Sequence, residues 1–168
     1  MRASAEDIYL DHHATTPVEP EVVEAMLPYF SEQFANPGSI THRLGRAAAS
    51  AVQRAVATIA AGLGAAEDEI ILTSGATESN NLALLGYCLH PRQERRRIVS
   101  VATEHPSVLD PLRRLEKMGF EVVMAPVHGR ESSAAGRIRL EETLPLINDE
   151  TALVSVMLAN NEIGTIQP

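Results

Sequence analysis

Short apolar runs separated by helical patterns limit the fold of this chain more than any other feature. Four such runs, several rich in Ile and Val, fall at 69–73, 97–101, 120–125 and 152–158. Between them lie segments with helical spacing. Glu19 to Phe34 has apolar residues at 22, 23, 26, 27 and 30, with Pro28 expected to kink it. From His42 to Leu63, the residues Leu44, Ala48, Val52, Ala55, Val56, Ile59 and Leu63 form one stripe that ends at Gly62 and Gly64. A third helix runs from the cluster after residue 73 to about residue 89, a fourth over 107–118 and a fifth over 140–147. Residues 36–39 read as a turn and 127–139 as a loop. Strands alternating with helices predict an α/β domain with mostly parallel pairing and right-handed crossovers.

Composition narrows the function classes. The 168 residues fit one domain, and 45% hydrophobic content supports a core that is mainly aliphatic, since only 4% is aromatic. A net charge of −8 argues against nucleic acid binding by bulk electrostatics. Arg95 to Arg97 reads as a solvated connector rather than a patch. No run of apolar residues is long enough for a membrane span, and no signal peptide is visible. Cys88 is the one cysteine, which fits a cytoplasmic location.

In sheets of this kind ligands bind beyond the carboxyl ends of the strands. Three of those ends carry polar clusters. The first is Ser74-Gly-Ala-Thr77, where amides at a helix N-terminus and the Thr77 hydroxyl would form a phosphate cup, with Ser79 offering a second hydroxyl. A Ser/Thr-capped turn explains that segment equally well. The second is Ala102-Thr-Glu-His105, and the fourth strand gives Ala159-Asn-Asn-Glu-Ile-Gly164. His105 alone reads as a surface or capping histidine, and Asn160 and Asn161 alone as turn residues. Their shared placement favours a site. His12 and His13 suggest a metal, but neighbours on an extended strand face opposite ways, so a metal site is not expected. The cup also lacks the Gly-Lys-Ser/Thr and dinucleotide spacings of nucleotide sites.

Five motifs together resemble the N-terminal part of a cysteine desulfurase, in the class-V aminotransferase group of pyridoxal-phosphate enzymes. They are Tyr9-Leu-Asp-His-His-Ala-Thr-Thr-Pro17; Asn36-Pro-Gly-Ser39 with His42 and Gly45; Thr73-Ser-Gly-Ala-Thr-Glu-Ser79; Thr103-Glu-His105; and Asn160-Asn-Glu-Ile-Gly164. The resemblance implies an incomplete large domain of the fold type I architecture over 1–168, a mostly parallel sheet with flanking helices. It implies pyridoxal 5'-phosphate as cofactor. Ala76 and Thr77 would hold its phosphate, His105 would stack on its ring as the catalytic histidine, and Asn161 would bond the ring hydroxyl. Asn160 would brace the turn. His13, Ala14 and Thr15 would lie near the substrate mouth. The implied reaction takes sulfur from L-cysteine as a persulfide, leaving L-alanine, for iron–sulfur clusters or another acceptor protein. Selenocysteine lyase-like relatives, or a non-catalytic cofactor-binding or interaction module, are alternatives.

Such enzymes hold their cofactor through a lysine. The one lysine, Lys117, lies half a turn round from Val108 on its helix and reads as solvated, while Cys88 reads as a buried core residue. By the resemblance, the Schiff-base lysine, the pyridine-nitrogen Asp and the persulfide cysteine belong downstream of residue 168. The chain would then be a portion that works as a homodimer or with a complementing C-terminal segment. The resemblance further implies later strands between the cup strand and the Asn161 strand, and one between the Asn161 strand and the second and third. Strands without neighbours leave backbone groups unpaired. Residues 1–168 alone are therefore expected to be poorly folded, to aggregate or to seek a partner. A sharp thermal transition in a monodisperse monomer would count against this.

Overall fold

The computed structural model describes residues 8–168. They divide into two compact units, one ending at Leu72 and one spanning Thr73–Pro168.

The first unit carries two helices, α1 (Pro20–Ser31) and α2 (Arg43–Leu63). Pro at the start of α1 suits a position whose N–H has no partner in any helix. The His42 ring caps α2 by accepting the Gly45 N–H at 3.1 Å. Gly64, at φ 66°, closes it in the left-handed region, and the Ala65 N–H donates back to the Ala60 carbonyl at 2.9 Å. Gly45 is required by packing: a Cβ there would lie 1.8 Å from the Ser39 carbonyl oxygen, so the 36–40 turn could not lie against the helix. The expected α2 stripe is helical but poorly covered. Only Gly45 and Ala60 of α2 are buried, and α1 buries none of its residues.

The second unit is built on a three-stranded parallel sheet. Helix α3 (Ala76–Cys88) precedes β1 (Arg97–Val101), and α4 (Pro106–Lys117) leads to β2 (Glu121–Ala125). The short α5 (Leu140–Thr143) comes before β3 (Thr151–Val154). Strand order is β2-β1-β3. Arg97 pairs with Glu121 on one side and Thr151 on the other, with a register irregularity after Arg97 on the β3 side. Side chains of β1 alternate between two apolar layers. Ile98 joins Leu84, Cys88, Val108, Leu112, Leu115 and Phe120 beneath α3 and α4. Val99 and Val101 pack with Ala125 on the opposite face, covered by Val127, Ile138, Leu146 and Val156. Lys117 is exposed and Cys88 buried, as read from helical spacing.

Four expectations are corrected. Residues 67–69 form a 3-10 turn and 70–73 pair with nothing, so the first apolar run is not a strand. Three consecutive acidic residues wind the turn, and the Glu69 carboxylate accepts the Ala66 N–H at 2.8 Å. No strand stands between β1 and β3, which are direct neighbours. The expected gap is therefore absent from this part of the sheet, and the core of 73–168 is continuous. The third correction is at 140–147, where Pro145 lacks an N–H and the helix tightens to 3-10 geometry over Leu144–Leu146. Finally, β3 stops at Val154, which lies opposite Val99, while β1 runs on to Val101 beside β2 alone.

The loop 127–139 folds back on itself through a Val127–Ile138 bridge. Gln167 clasps it: its Oε1 accepts the Ile138 N–H at 2.8 Å and its Nε2 donates to the Gly136 carbonyl at 3.0 Å. No helix among the described residues is long and apolar enough to cross a membrane.

Leu112 is fully buried at the centre of the α4 layer. Leu112→Ala is expected to destabilise the second unit by about 2–5 kcal/mol, measured as a lower urea midpoint with an unchanged slope.

Candidate cofactor site

Helix α3 begins at a run of open backbone donors. Gly75, its cap, has φ 158°, and no side chain caps the first turn. The Ser74 N–H is taken by the Glu78 carboxylate at 2.7 Å, and the Ser79 N–H by the Gly75 carbonyl at 3.1 Å. The amides of Gly75, Ala76, Thr77 and Glu78 between them have no partner among the described residues. The Thr77 hydroxyl is free as well, whereas Ser79 is not: its Oγ lies 2.6 Å from that of Thr73 and 3.3 Å from the Gly75 carbonyl oxygen. Ala76 and Thr77 are exposed. Four unpaired N–H groups, one hydroxyl and the positive end of a helix form a donor set suited to a phosphate. Two hydrogen bonds from Ser74 hold the Glu78 carboxyl below its ordinary range, so its charge is turned back into the turn.

His105 lies where β1 ends and α4 begins. As the cap of α4 it accepts the Ser107 N–H on Nδ1 at 3.0 Å, and its ring is exposed. Ser107 Oγ lies 2.8 Å from the same Nδ1 and accepts the Asn80 amide of α3 at 2.8 Å. The cup helix and the histidine are thus joined by side chains.

Asn160 and Asn161 sit in a tight turn closed by the Ala159–Ile166 bridge. Asn160 is buried and braces it: Oδ1 accepts the Glu162 and Ile163 N–H groups at 2.9 and 3.0 Å. Its Nδ2 donates to the Thr103 carbonyl at 2.6 Å, two residues before His105. Asn161 is half-buried, and its side-chain amide has no partner among the described residues.

Glu104 was quoted in a motif without a role, and the structure supplies one. It is buried, and its carboxylate accepts the Met157 N–H at 2.6 Å, clamping the exit of β1 to the chain leaving β3. Its place in the motif, as an acid beside the histidine, was the only signal for it. Burial raises its pKa above the ordinary value near 4.5, against the opposing hydrogen bonds from Met157 and His105.

The structure therefore ties Ala76 and Thr77, His105 and the Asn161 turn into one hydrogen-bonded rim within the second unit. His13, Ala14 and Thr15 belong to the first unit. There they are exposed and lie in or beside a turn in which the Ala14 N–H donates to the Asp11 carbonyl at 3.1 Å. This replaces the extended strand expected at His12 and His13. Tyr9 shapes the turn by donating to the Asp11 carbonyl at 2.9 Å, and His12 Nδ1 lies 3.1 Å from Thr16 Oγ1.

The aminotransferase class-V family model matches residues 8–168. The chain belongs to that family. It is 47% identical over 161 residues to the cysteine desulfurase IscS of Rickettsia massiliae (strain Mtu5), covering 96% of this chain and 38% of that protein. It is 48% identical over 160 residues to the IscS of Neisseria meningitidis serogroup C (strain FAM18), covering 95% of this chain and 38% of the relative. Among solved structures, a NifS-like protein superposes with TM-score 0.87 at 38% identity, over 96% of this chain and 43% of its own. DndA from Streptomyces lividans gives TM-score 0.78 at 43% identity, over 96% and 44%. A structure titled SspA in complex with cysteine gives 0.82 at 38%, over 95% and 44%. The chain thus spans well under half the length of these relatives, and its sheet is part of the large domain of the aminotransferase-like fold.

The raised Glu104 pKa has a definite sign. The folded state holds this proton more tightly than the unfolded state, so the associated stability is full below about pH 4.5 and is lost as pH rises through the folded value. Glu104→Gln keeps an oxygen for the Met157 N–H and removes the charge. Its stability relative to wild type is expected to improve as pH rises from 4 to 7, read from paired urea titrations.

Proposed function

We propose that this chain supplies the phosphate seat and part of the ring pocket of a pyridoxal-phosphate-dependent cysteine desulfurase acting on L-cysteine. The observation that carries the reading is the run of four unpartnered amides with the free Thr77 hydroxyl at the start of α3. It occurs in a chain whose relatives are named as cysteine desulfurases.

In this reading the Ala76 and Thr77 amides and the Thr77 hydroxyl bind the cofactor phosphate. His105 stacks on the pyridine ring, and the free Asn161 amide bonds the ring hydroxyl. Asn160 keeps that amide in place by holding its turn to the Thr103 carbonyl. His13, Ala14 and Thr15 line the substrate mouth. When bound, pyridoxal phosphate supplies an electron sink for the substrate carbon. The chain's own groups bind, orient and shield it.

Two chemical needs stay unmet within these residues: an amine to hold the cofactor covalently and a thiol to take the sulfur. Lys117 is exposed at the end of α4, whose buried residues face the core, and Cys88 is buried with its pKa raised by desolvation. The chain alone is therefore inactive in this reading. It works as a homodimer or with a complementing C-terminal segment, passing sulfur to an acceptor protein for iron–sulfur clusters or other sulfur transfer. A cytoplasmic location accompanies the reading, supported by the single unpaired cysteine.

Titration of the chain with pyridoxal phosphate, followed by absorbance, tests the seat. Inorganic phosphate is expected to compete, and Thr77→Ala to weaken binding by about tenfold, the cost of one bond to a charged group. A complementing segment carrying a Ser-x-His-Lys sequence is expected to restore sulfide release from cysteine. No turnover by a reconstituted, cofactor-loaded pair would sink the desulfurase reading.

A further inference from the structure

We infer that Asn80 and Ser107 are positioning residues that lock the tautomer of His105, fixing Nδ1 as an acceptor and leaving the proton on Nε2. The inference rests on the cofactor reading for its purpose, but its geometry stands in the chain itself.

The argument follows from who can donate. The Ser107 backbone N–H can only donate, and it points at His105 Nδ1 at 3.0 Å. Nδ1 must therefore present its lone pair, and the neutral ring carries its hydrogen on Nε2. Ser107 Oγ lies 2.8 Å from the same nitrogen. Facing a lone pair, this hydroxyl must turn its own hydrogen toward Nδ1. Its oxygen is then open to a donor, and the Asn80 amide fills that place at 2.8 Å. Each assignment forces the next, so the orientation of the Asn80 amide is fixed as well. Protonating Nδ1 would leave the Ser107 N–H facing another N–H and force the hydroxyl to reverse against Asn80.

The placement gives the relay a use. Asn80 stands on the same helix face as the cup, one turn after Ala76 and Thr77, and it is half-buried. Ser107 is buried at the start of α4. Helices α3 and α4 pack through Leu84, Cys88, Val108, Leu112 and Leu115. The phosphate seat and the imidazole therefore form one rigid body, and the ring plane is set by the helix that holds the anion. Nε2 is the ring nitrogen left for a ligand, and it meets the ligand as a donor. A residue that merely capped α4 would need the backbone bond alone. Asn80 and the Ser107 hydroxyl add nothing to that cap and act on the ring.

The test reads the ring directly, without cofactor. In the chain labelled with 15N-histidine, long-range proton–nitrogen correlation at about pH 8.5, where imidazole is neutral, reports which nitrogen carries hydrogen. His105 is assigned by the signal lost in His105→Gln. Wild type is expected to show the Nε2–H form. Ser107→Ala and Asn80→Asp are each expected to raise the share of the Nδ1–H form by roughly two- to tenfold, as for loss of one hydrogen bond. Ser107→Thr keeps the hydroxyl and is expected to restore the wild-type pattern. Asn80→Asp preserves shape while replacing the donor with an acceptor, so it carries the test if Ser107→Ala unfolds. A wild-type ring with its hydrogen on Nδ1 overturns the inference, and so does an unchanged ratio in a folded Asn80→Asp chain. Pyridoxal phosphate binding, measured separately, keeps the two readings apart. A locked ring in a chain that binds no cofactor fails the cofactor reading alone, and cofactor binding beside an unlocked ring fails the relay alone.

Discussion

The buried strand from Ile98 to Val101 is the constraint on which the rest of the second unit depends. All four residues are fully shielded from solvent, between β2 and β3 in the sheet and between two apolar layers above and below. A strand paired on both sides has little freedom to slide, because a one-residue slip would exchange the Ile98 layer for the Val99 layer. The residues that follow inherit that fixity. Within six positions of Val101, Thr103 receives Asn160, Glu104 receives Met157, and Ser107 receives Asn80. The rim is placed by hydrogen bonds that all end on the same short stretch of chain.

The chain carries a net charge of −8, yet its candidate site presents a donor set suited to an anion. These facts are compatible because the two fields act over different distances. Surface carboxylates are screened beyond a Debye length of about 8–10 Å. The amides of Gly75 to Glu78 act at contact, with the helix dipole behind them. The nearest carboxylate, Glu78, is held by Ser74 within the turn. Selectivity for an anion is thus a matter of backbone direction rather than of bulk charge.

Local signals made much of this arrangement legible in the sequence. The helices α2, α3 and α4 follow their apolar spacing and their glycine and proline boundaries. Strands β1 and β2 follow their Ile and Val content, and the burial of Cys88 and exposure of Lys117 follow from helix phase. The bracing role of Asn160 was implied by family resemblance and is seen directly in its bonds. What was missed depends on partners distant in sequence. The run at 69–73 has strand composition but forms no ladder among the described residues, in keeping with the missing neighbours that the resemblance implied for it. The direct pairing of β3 with β1 is a matter of topology. Asn80, Glu104, Ser107 and Gln167 are polar residues whose partners lie 27 to 53 positions away, so nothing in their own neighbourhoods announces them.

Glu104 and Gln167 fasten neighbouring parts of the same structure by different chemistry. The Glu104 clamp depends on a carboxyl group whose charge is costly where it sits. The Gln167 clasp, holding residues 136 and 138, uses an amide that neither gains nor loses a proton over the range in which proteins stay folded. Acidity can therefore loosen or tighten the seam between the β1 and β3 exits while the loop latch stays indifferent. The C-terminal hairpin is hung from two fasteners, one responsive to its medium and one deaf to it.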